Sequence, residues 1–156
     1  MIRVQREDFD VGAELAALTK DNPKIGGVAV FVGLVRDVAG DQPAGQKIRA
    51  ISVEHYPGMT EKKLAEIEAE AQKRWPLEAI LIIHRIGELK PADRIVLVAA
   101  ASPHRDAAFD ACRFLIDWLK TKAPFWKMED KAGTQEWVES RDSDDLAAAR
   151  WNQKRG

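Results

Sequence analysis

The segment from Ser102 to Lys122 constrains the fold most, because it holds the clearest helix start in the chain followed by a long apolar stripe. Ser102 is a capping residue type, and Pro103 suits the first helical position, where an N–H has no partner to lose. Ala108, Ala111, Leu115 and Trp118 then recur on one face, and Phe109, Cys112, Ile116 and Leu119 widen it, so this helix must bury itself against a sheet. Leu77 to Ile86 and Arg94 to Ala101 read as strands just before it, joined by a turn-rich connection holding Gly87, Pro91 and Asp93. Ile2 to Arg6 reads as a short strand, and Asp10 caps a helix over Val11 to Lys20 that Asn22-Pro23 stops. Ile25 to Arg36 and Ile48 to His55 read as strands separated by a loop from Asp37 to Gln46, and Thr60 is the expected cap of a helix ending near Arg74. Phe125 to Asp130 and Gln135 to Glu139 suggest a hairpin around Gly133, and a last helix is expected from Asp144. Strands follow one another without an intervening helix at two places, which favours an α+β fold with a largely antiparallel sheet.

The 156 residues fit one domain spanning 1–156, with the tail 142–156 least informative. Basic and acidic residues number 24 and 25, so no global field draws the chain to nucleic acid or to an anionic membrane. The longest apolar stretches, Val28 to Val35 and Ile95 to Ala101, are too short to span a bilayer. Arg3, Arg6, Glu7 and Asp8 occupy the place of a signal-peptide core, and a cytoplasmic location is expected. The single cysteine, Cys112, can form no internal disulfide and lacks a second thiol for a typical zinc site.

Polar groups that packing does not demand gather at element boundaries. Lys120 and Lys127 flank the aromatic turn at Phe125 and Trp126, where lost hydration or a neighbouring cation releases an ammonium proton more easily. The plainer reading is that such lysines crown a helix C-terminus, where cations suit the dipole. His104 and Arg105 stand at a helix start, a poor place for cations but one whose free N–H groups attract phosphate or carboxylate. Arg36, ending a strand, could add a guanidinium fork to such an anion site. Cys112 lies on the apolar stripe and reads as a structural thiol, and His84 as a hydrogen-bonded structural histidine. His55, His84 and His104 have no metal-ligand spacing. Neither an activated-serine motif nor a phosphate-cradling glycine loop is present.

Taken in order, Phe31-Val-Gly-Leu-Val-Arg36, Glu54-His-Tyr-Pro-Gly-Met59, His84-Arg-Ile-Gly87, Ser102-Pro-His-Arg105 and Lys120-Thr-Lys-Ala-Pro-Phe-Trp-Lys127 resemble the large, catalytic subunit of molybdopterin synthase, from about residue 2 to residue 141. The resemblance implies an α/β hammerhead fold and a homodimer within a heterotetramer. A small ubiquitin-like sulfur carrier would bind at each outer end and insert its C-terminal Gly-Gly, bearing a thiocarboxylate. It implies a sulfurtransferase that passes two sulfur atoms to cyclic pyranopterin monophosphate, giving the dithiolene of molybdopterin, with no metal or cofactor needed for this step.

Carried over position by position, the resemblance implies substrate contacts at Leu34, Val35 and Arg36, at His104 and Arg105, at Lys120, and at Lys127, Met128 and Glu129. Lys120 is the expected acid–base or acyl-capturing group, and Lys127 the group that stabilises developing anionic charge. Arg36, His104 and Arg105 would hold phosphate and pterin, some of them across the dimer, with Phe31 and Met59 near the tail channel. Met128 departs from a position commonly basic in that family, so side-chain charge is missing there. Two other readings compete: a scaffold that holds a tail or a phosphorylated metabolite without turnover, and a small phosphohydrolase or acyl-transfer enzyme, for which no nucleophile or metal set is apparent.

Overall fold

Every residue from Ile95 to Ser102 is buried, which requires a strand covered on both faces. In the computed structural model, which describes residues 1–38, 47–131, 134–138 and 142–152, this strand lies inside a four-stranded sheet. Its elements are β1 (Ile2–Gln5), α1 (Val11–Thr19), β2 (Gly27–Leu34), β3 (Ala50–His55), α2 (Met59–Arg74), β4 (Ala79–Arg85), β5 (Gly87–Leu89), β6 (Arg94–Ser102), α3 (Arg105–Lys122), β7 (Phe125–Lys131), β8 (Thr134–Val138) and α4 (Asp142–Ala149), then a 3-10 turn at Arg150–Asn152. The first sheet runs β1-β4-β6-β2, with β1 parallel to β4 and the other pairs antiparallel. The second runs β5-β3-β7-β8 and is antiparallel throughout. The mixed α+β architecture is therefore as the sequence predicts.

Strand alternation divides the core. Ile82, Val96, Val98 and Ala100 join Leu115 and Phe114 in the cluster under α3, while Leu81, Ile83, Leu97 and Ala99 meet Phe9 and the inner face of α1. Asp10 caps α1 as expected, accepting the Ala13 N–H at 2.8 Å. The Cys112 thiol lies 3.8 Å from the Val98 carbonyl, which seats the middle of α3 over the middle of β6. Burial pushes that thiol up to about 11, in keeping with a structural cysteine.

Four local expectations differ from the structure. Gly87 takes a positive φ of 86° as a turn residue does, but the chain there passes from the first sheet into the second, and 87–89 forms β5 instead of a connection. Thr60 is not a cap: Gly58, with φ 85°, precedes α2, and the Glu61 carboxylate accepts its N–H at 2.7 Å. The buried Thr60 hydroxyl accepts the Tyr56 N–H and donates to the Pro124 carbonyl, both at 2.9 Å, so it fastens α2 to the turn between α3 and β7. Ser102 ends β6 and donates to the Pro76 carbonyl at 2.8 Å, leaving His104 as N-cap of α3 with Pro103 outside the helix. Phe109, expected in the buried stripe, is 64% exposed. The β7–β8 hairpin forms as predicted, although Gly133 and Glu139 lie outside the described residues, as does most of the loop expected at Asp37 to Gln46.

The tail docks on α3 through Trp151, which is buried edge-on against Trp75 and Phe114 and donates its indole N–H to Asp117 at 2.7 Å. No helix among the described residues is long and apolar enough to cross a membrane.

His84 joins the two sheets. Its ring stacks on Phe125 of β7 with centroids 3.8 Å apart, and Nδ1 lies 2.8 Å from the Arg85 carbonyl, an oxygen that can only accept, so Nδ1 carries the proton. Burial chiefly, then the nearby Lys127 charge, lowers His84 to about 3. Its folded value lies below the unfolded 6.5, so the unfolded chain binds the extra proton and stability falls as pH drops from 6.5 toward 3. In urea titrations the wild type should lose up to about 1.4 kcal/mol per pH unit in this window from His84 alone, a component absent from His84→Gln; equal slopes for the two proteins would refute it. Thr60→Val should cost about 1 kcal/mol, read from the urea midpoint at neutral pH, because it removes both bonds of a buried hydroxyl, to the Tyr56 N–H and the Pro124 carbonyl.

Candidate active site

The direction of α3 decides which candidate residues can meet. Because Cys112 sits over Val98, α3 runs back along β6, and its last turn returns to the end of the sheet where Leu34 pairs with Arg94. Leu34 is 55% exposed there, and Arg36 follows on the surface. Val35 between them is buried, and its backbone is engaged at both ends, donating to Asp93 at 2.9 Å and accepting from Ala92 at 2.8 Å. That pairing aims Arg36 outward at the same end of the molecule as the last turn of α3. Two lysines occupy that turn. The Lys122 ammonium lies 4.4 Å from the centre of the Trp118 ring, whereas Lys120 is exposed on a different side of the helix.

Lys127 enters from the second sheet. It pairs with Val53, Phe125 pairs with His55, and Glu129 pairs with Ile51, so these side chains share the sheet face that holds buried Ile51, Val53 and Leu89. Phe125 carries the stacked His84 ring on this face, and the Lys127 and His55 charges both act on His84. His55 in turn lies 3.4 Å from the Glu61 carboxylate, which also holds the Gly58 N–H. The result is a cluster of nitrogen groups with an aromatic plate beneath an ammonium, a charge arrangement that favours anions near Lys127.

Met128 points the other way. It pairs with Ser52 and Trp137 on the opposite face, where it lines a shallow cavity of about 90 Å³ with Ala50, Glu88, Asp130 and Gln135. Lys127, Met128 and Glu129 therefore cannot all offer side chains to one ligand, and only the backbone of Met128 adjoins the Lys127 face.

His104 and Arg105 lie at the far end. They open α3, and Lys120 follows His104 by sixteen residues, a span of about 24 Å at about 1.5 Å per residue. Both are exposed, beside the start of β2, where Gly27 pairs with Ser102. A Cβ on Gly26 would run into the Pro103 carbonyl, so only glycine lets the start of β2 pass this close to the start of α3. One chain thus carries two cationic groups at opposite ends of one helix: Arg36, Lys120 and Lys127 at one, His104 and Arg105 at the other. Sequence reasoning found these residues but not the stacking of His84 on Phe125, which joins positions far apart in the chain. Nor did it find the Thr60 hydroxyl that holds the entry to β7.

The model of the MoaE protein family matches residues 4–122. A molybdopterin synthase catalytic subunit from Pseudomonas aeruginosa is 55% identical over 152 residues, covering 97% of this chain and 99% of the relative. Among solved structures, the molybdopterin biosynthesis MoaE protein from Burkholderia ambifaria superposes with a TM-score of 0.82 at 50% identity, covering 99% of each chain. A molybdopterin synthase from Staphylococcus aureus gives a TM-score of 0.79 at 34% identity, covering 88% of this chain and 96% of that one. With its family model matched over more than half its length and a relative of such identity along nearly all of it, this chain belongs to the MoaE protein family.

Proposed function

We propose that the chain is the catalytic subunit of a molybdopterin synthase, working in the cytoplasm. It transfers two sulfur atoms, one at a time, from the C-terminal thiocarboxylate of a small ubiquitin-like carrier to cyclic pyranopterin monophosphate. The observation that carries this reading is the gathering of Arg36, Lys120 and Lys127 at one end of the molecule in a chain so closely related to known catalytic subunits. A scaffold that only holds its ligand has no need of the amines that Lys120 and Lys127 bring to that end.

The chemistry needs three things. The thiocarboxylate sulfur must form a bond to a substrate carbon, the acyl–sulfur bond must then break, and protons must be supplied and removed as oxygen leaves. Lys120, on the exposed flank of the last helical turn, is placed to give and take those protons, or to accept the acyl group before water releases it. Lys127 stabilises the oxyanion of the tetrahedral acyl centre. Leu34 forms an apolar lip beside Arg36, and Glu129 shares the inward face with Lys127.

Arg36 and the distant pair His104 and Arg105 supply the grip on phosphate and pterin. The span of α3 forbids His104 and Arg105 from reaching Lys120 of the same chain, so the functional unit is a homodimer in which each active site takes this pair from the partner, with one carrier at each outer end.

Lys120→Ala should lower the sulfur-transfer rate by about 10²–10⁴-fold while carrier binding persists, followed by mass spectrometry of the pterin product and by calorimetry with the carrier. Wild-type turnover would remove Lys120 from the mechanism. Mixing Lys120→Ala chains with Arg105→Ala chains gives hybrid dimers in which one site keeps both residues and the other has neither, so about half the wild-type rate per hybrid should return. No recovery would mean that each site takes both residues from one chain, against the arrangement proposed.

A further inference from the structure

We propose that the outer face of the second sheet is a docking surface for an arginine-bearing segment of another protein, and that the hollow over Ala50 and Ser52 is the socket for one arginine head group. The proposal goes beyond the function proposed above and does not rest on it.

Alternation along the strands sorts this sheet into two unlike faces. Ile51, Val53 and Leu89 are buried on the inner face, whereas Glu54, Glu88, Trp126, Gln135 and Trp137 are exposed on the outer one. The first sheet is covered by α1 on one face and α3 on the other, and the second is left with an open face.

The charge on that face has one sign. Its strand positions include Glu54, Glu88 and Asp130, and no lysine, arginine or histidine. None of these three carboxylates has an ion-pair partner among the described residues. In a chain whose basic and acidic residues number 24 and 25, this is a local departure from balance. Nucleic acid and anionic membranes are repelled here, and so is the same face of a second copy, which would set carboxylate against carboxylate. The complementary occupant is cationic.

The hollow narrows the choice further. Ser52 pairs with Glu88 on one side and Met128 on the other, and Ala50 pairs with Asp130, so two small side chains on the middle strand lie between longer ones. The space over them, bounded also by Gln135, is about 90 Å³, far below the roughly 300–1,000 Å³ of a metabolite pocket. It suits a single side-chain head group. Glu88 and Asp130 stand on strands about 10 Å apart, either side of the floor. A planar guanidinium with five N–H donors can serve carboxylates on both sides together with the Ser52 hydroxyl and the Gln135 amide oxygen, whereas the compact ammonium of lysine engages fewer at once.

An aromatic row continues from the hollow. Trp137 pairs with Met128, Trp126 lies two residues back along β7, and the Tyr56 ring meets Trp126 with centroids 6.5 Å apart. All three rings are about half exposed. Guanidinium planes stack on such rings, and the row is longer than any free amino acid, so it fits a chain segment that presents cations at successive points.

The test uses the full chain, isotope-labelled, and the blocked peptide Thr-Arg-Thr-Arg-Thr with its citrulline and lysine counterparts. Saturable shifts are expected at the Trp126 and Trp137 indole N–H signals, while those of the buried Trp75 and Trp151 stay in place. Affinity should fall by about 10-fold or more when neutral citrulline replaces arginine, and by a similar factor in the Glu88→Gln, Asp130→Asn double variant, which keeps side-chain shape. The lysine peptide should bind more weakly than the arginine peptide. No saturable shift, equal affinity for the citrulline or lysine peptide, or unchanged affinity in the double variant would overturn the proposal. Self-association that the peptide competes away would give the face to a second copy and overturn it also. With carrier and pterin, the double variant should transfer sulfur at the wild-type rate; a loss would join this face to the active site and end its role as a separate surface. Peptide binding as expected in a wild-type protein that transfers no sulfur would refute the proposed function alone.

Discussion

The close passage of β2 under the start of α3 sets the geometry of everything that follows. Gly26 donates its N–H to the Ser102 carbonyl at 2.9 Å, and no side chain at that position would fit beneath Pro103. The contact pins the first turn of α3 to the first residues of β2. From there, the apolar stripe seen in the sequence leaves α3 one way to lie: back across β6, with Cys112 over Val98 and Leu119 near the end of the strand. The separation of the two cationic groups is a result of that alignment, since a straight helix keeps its ends apart.

Fixing β7 requires a second set of contacts, because the chain leaves α3 through only Ala123 and Pro124 before pairing begins. Pro124 is held by the Thr60 hydroxyl, and Phe125 is clamped face to face on His84. Together these set which side of the second sheet Lys127 enters. A shift of one residue in the β3–β7 register would exchange Lys127 for Met128 on the inner face, so two uncharged contacts determine where a charge is presented.

Much of the fold was legible in local patterns. The hydrophobic period of α3, the Asp10 cap and the β7–β8 hairpin all depend on residues within a turn or two of one another, where propensity and spacing decide the outcome. The misses share a different cause. Gly87 was rightly seen as a point where the chain changes direction, but whether it changes direction within a sheet or between sheets depends on partners distant in sequence. Thr60 has the composition of a cap and instead serves a carbonyl sixty-four residues away. Phe109 fits the apolar stripe, yet α3 leaves it exposed, and which side of a helix the sheet covers is set by tertiary packing. The candidate site was legible as a set of residues and not as a place. Charge at element boundaries singled out Arg36, His104, Arg105, Lys120 and Lys127, and the resemblance selected the same residues, while the distance along α3 divides them in a way no linear motif records.

An eighteen-residue helix holds its two ends, and the cationic groups on them, at a fixed distance within one chain. If each site takes His104 and Arg105 from a partner, as proposed above, the concentration of complete sites rises with the square of the chain concentration until association saturates. Under that arrangement, dilution would lower activity without unfolding a single copy.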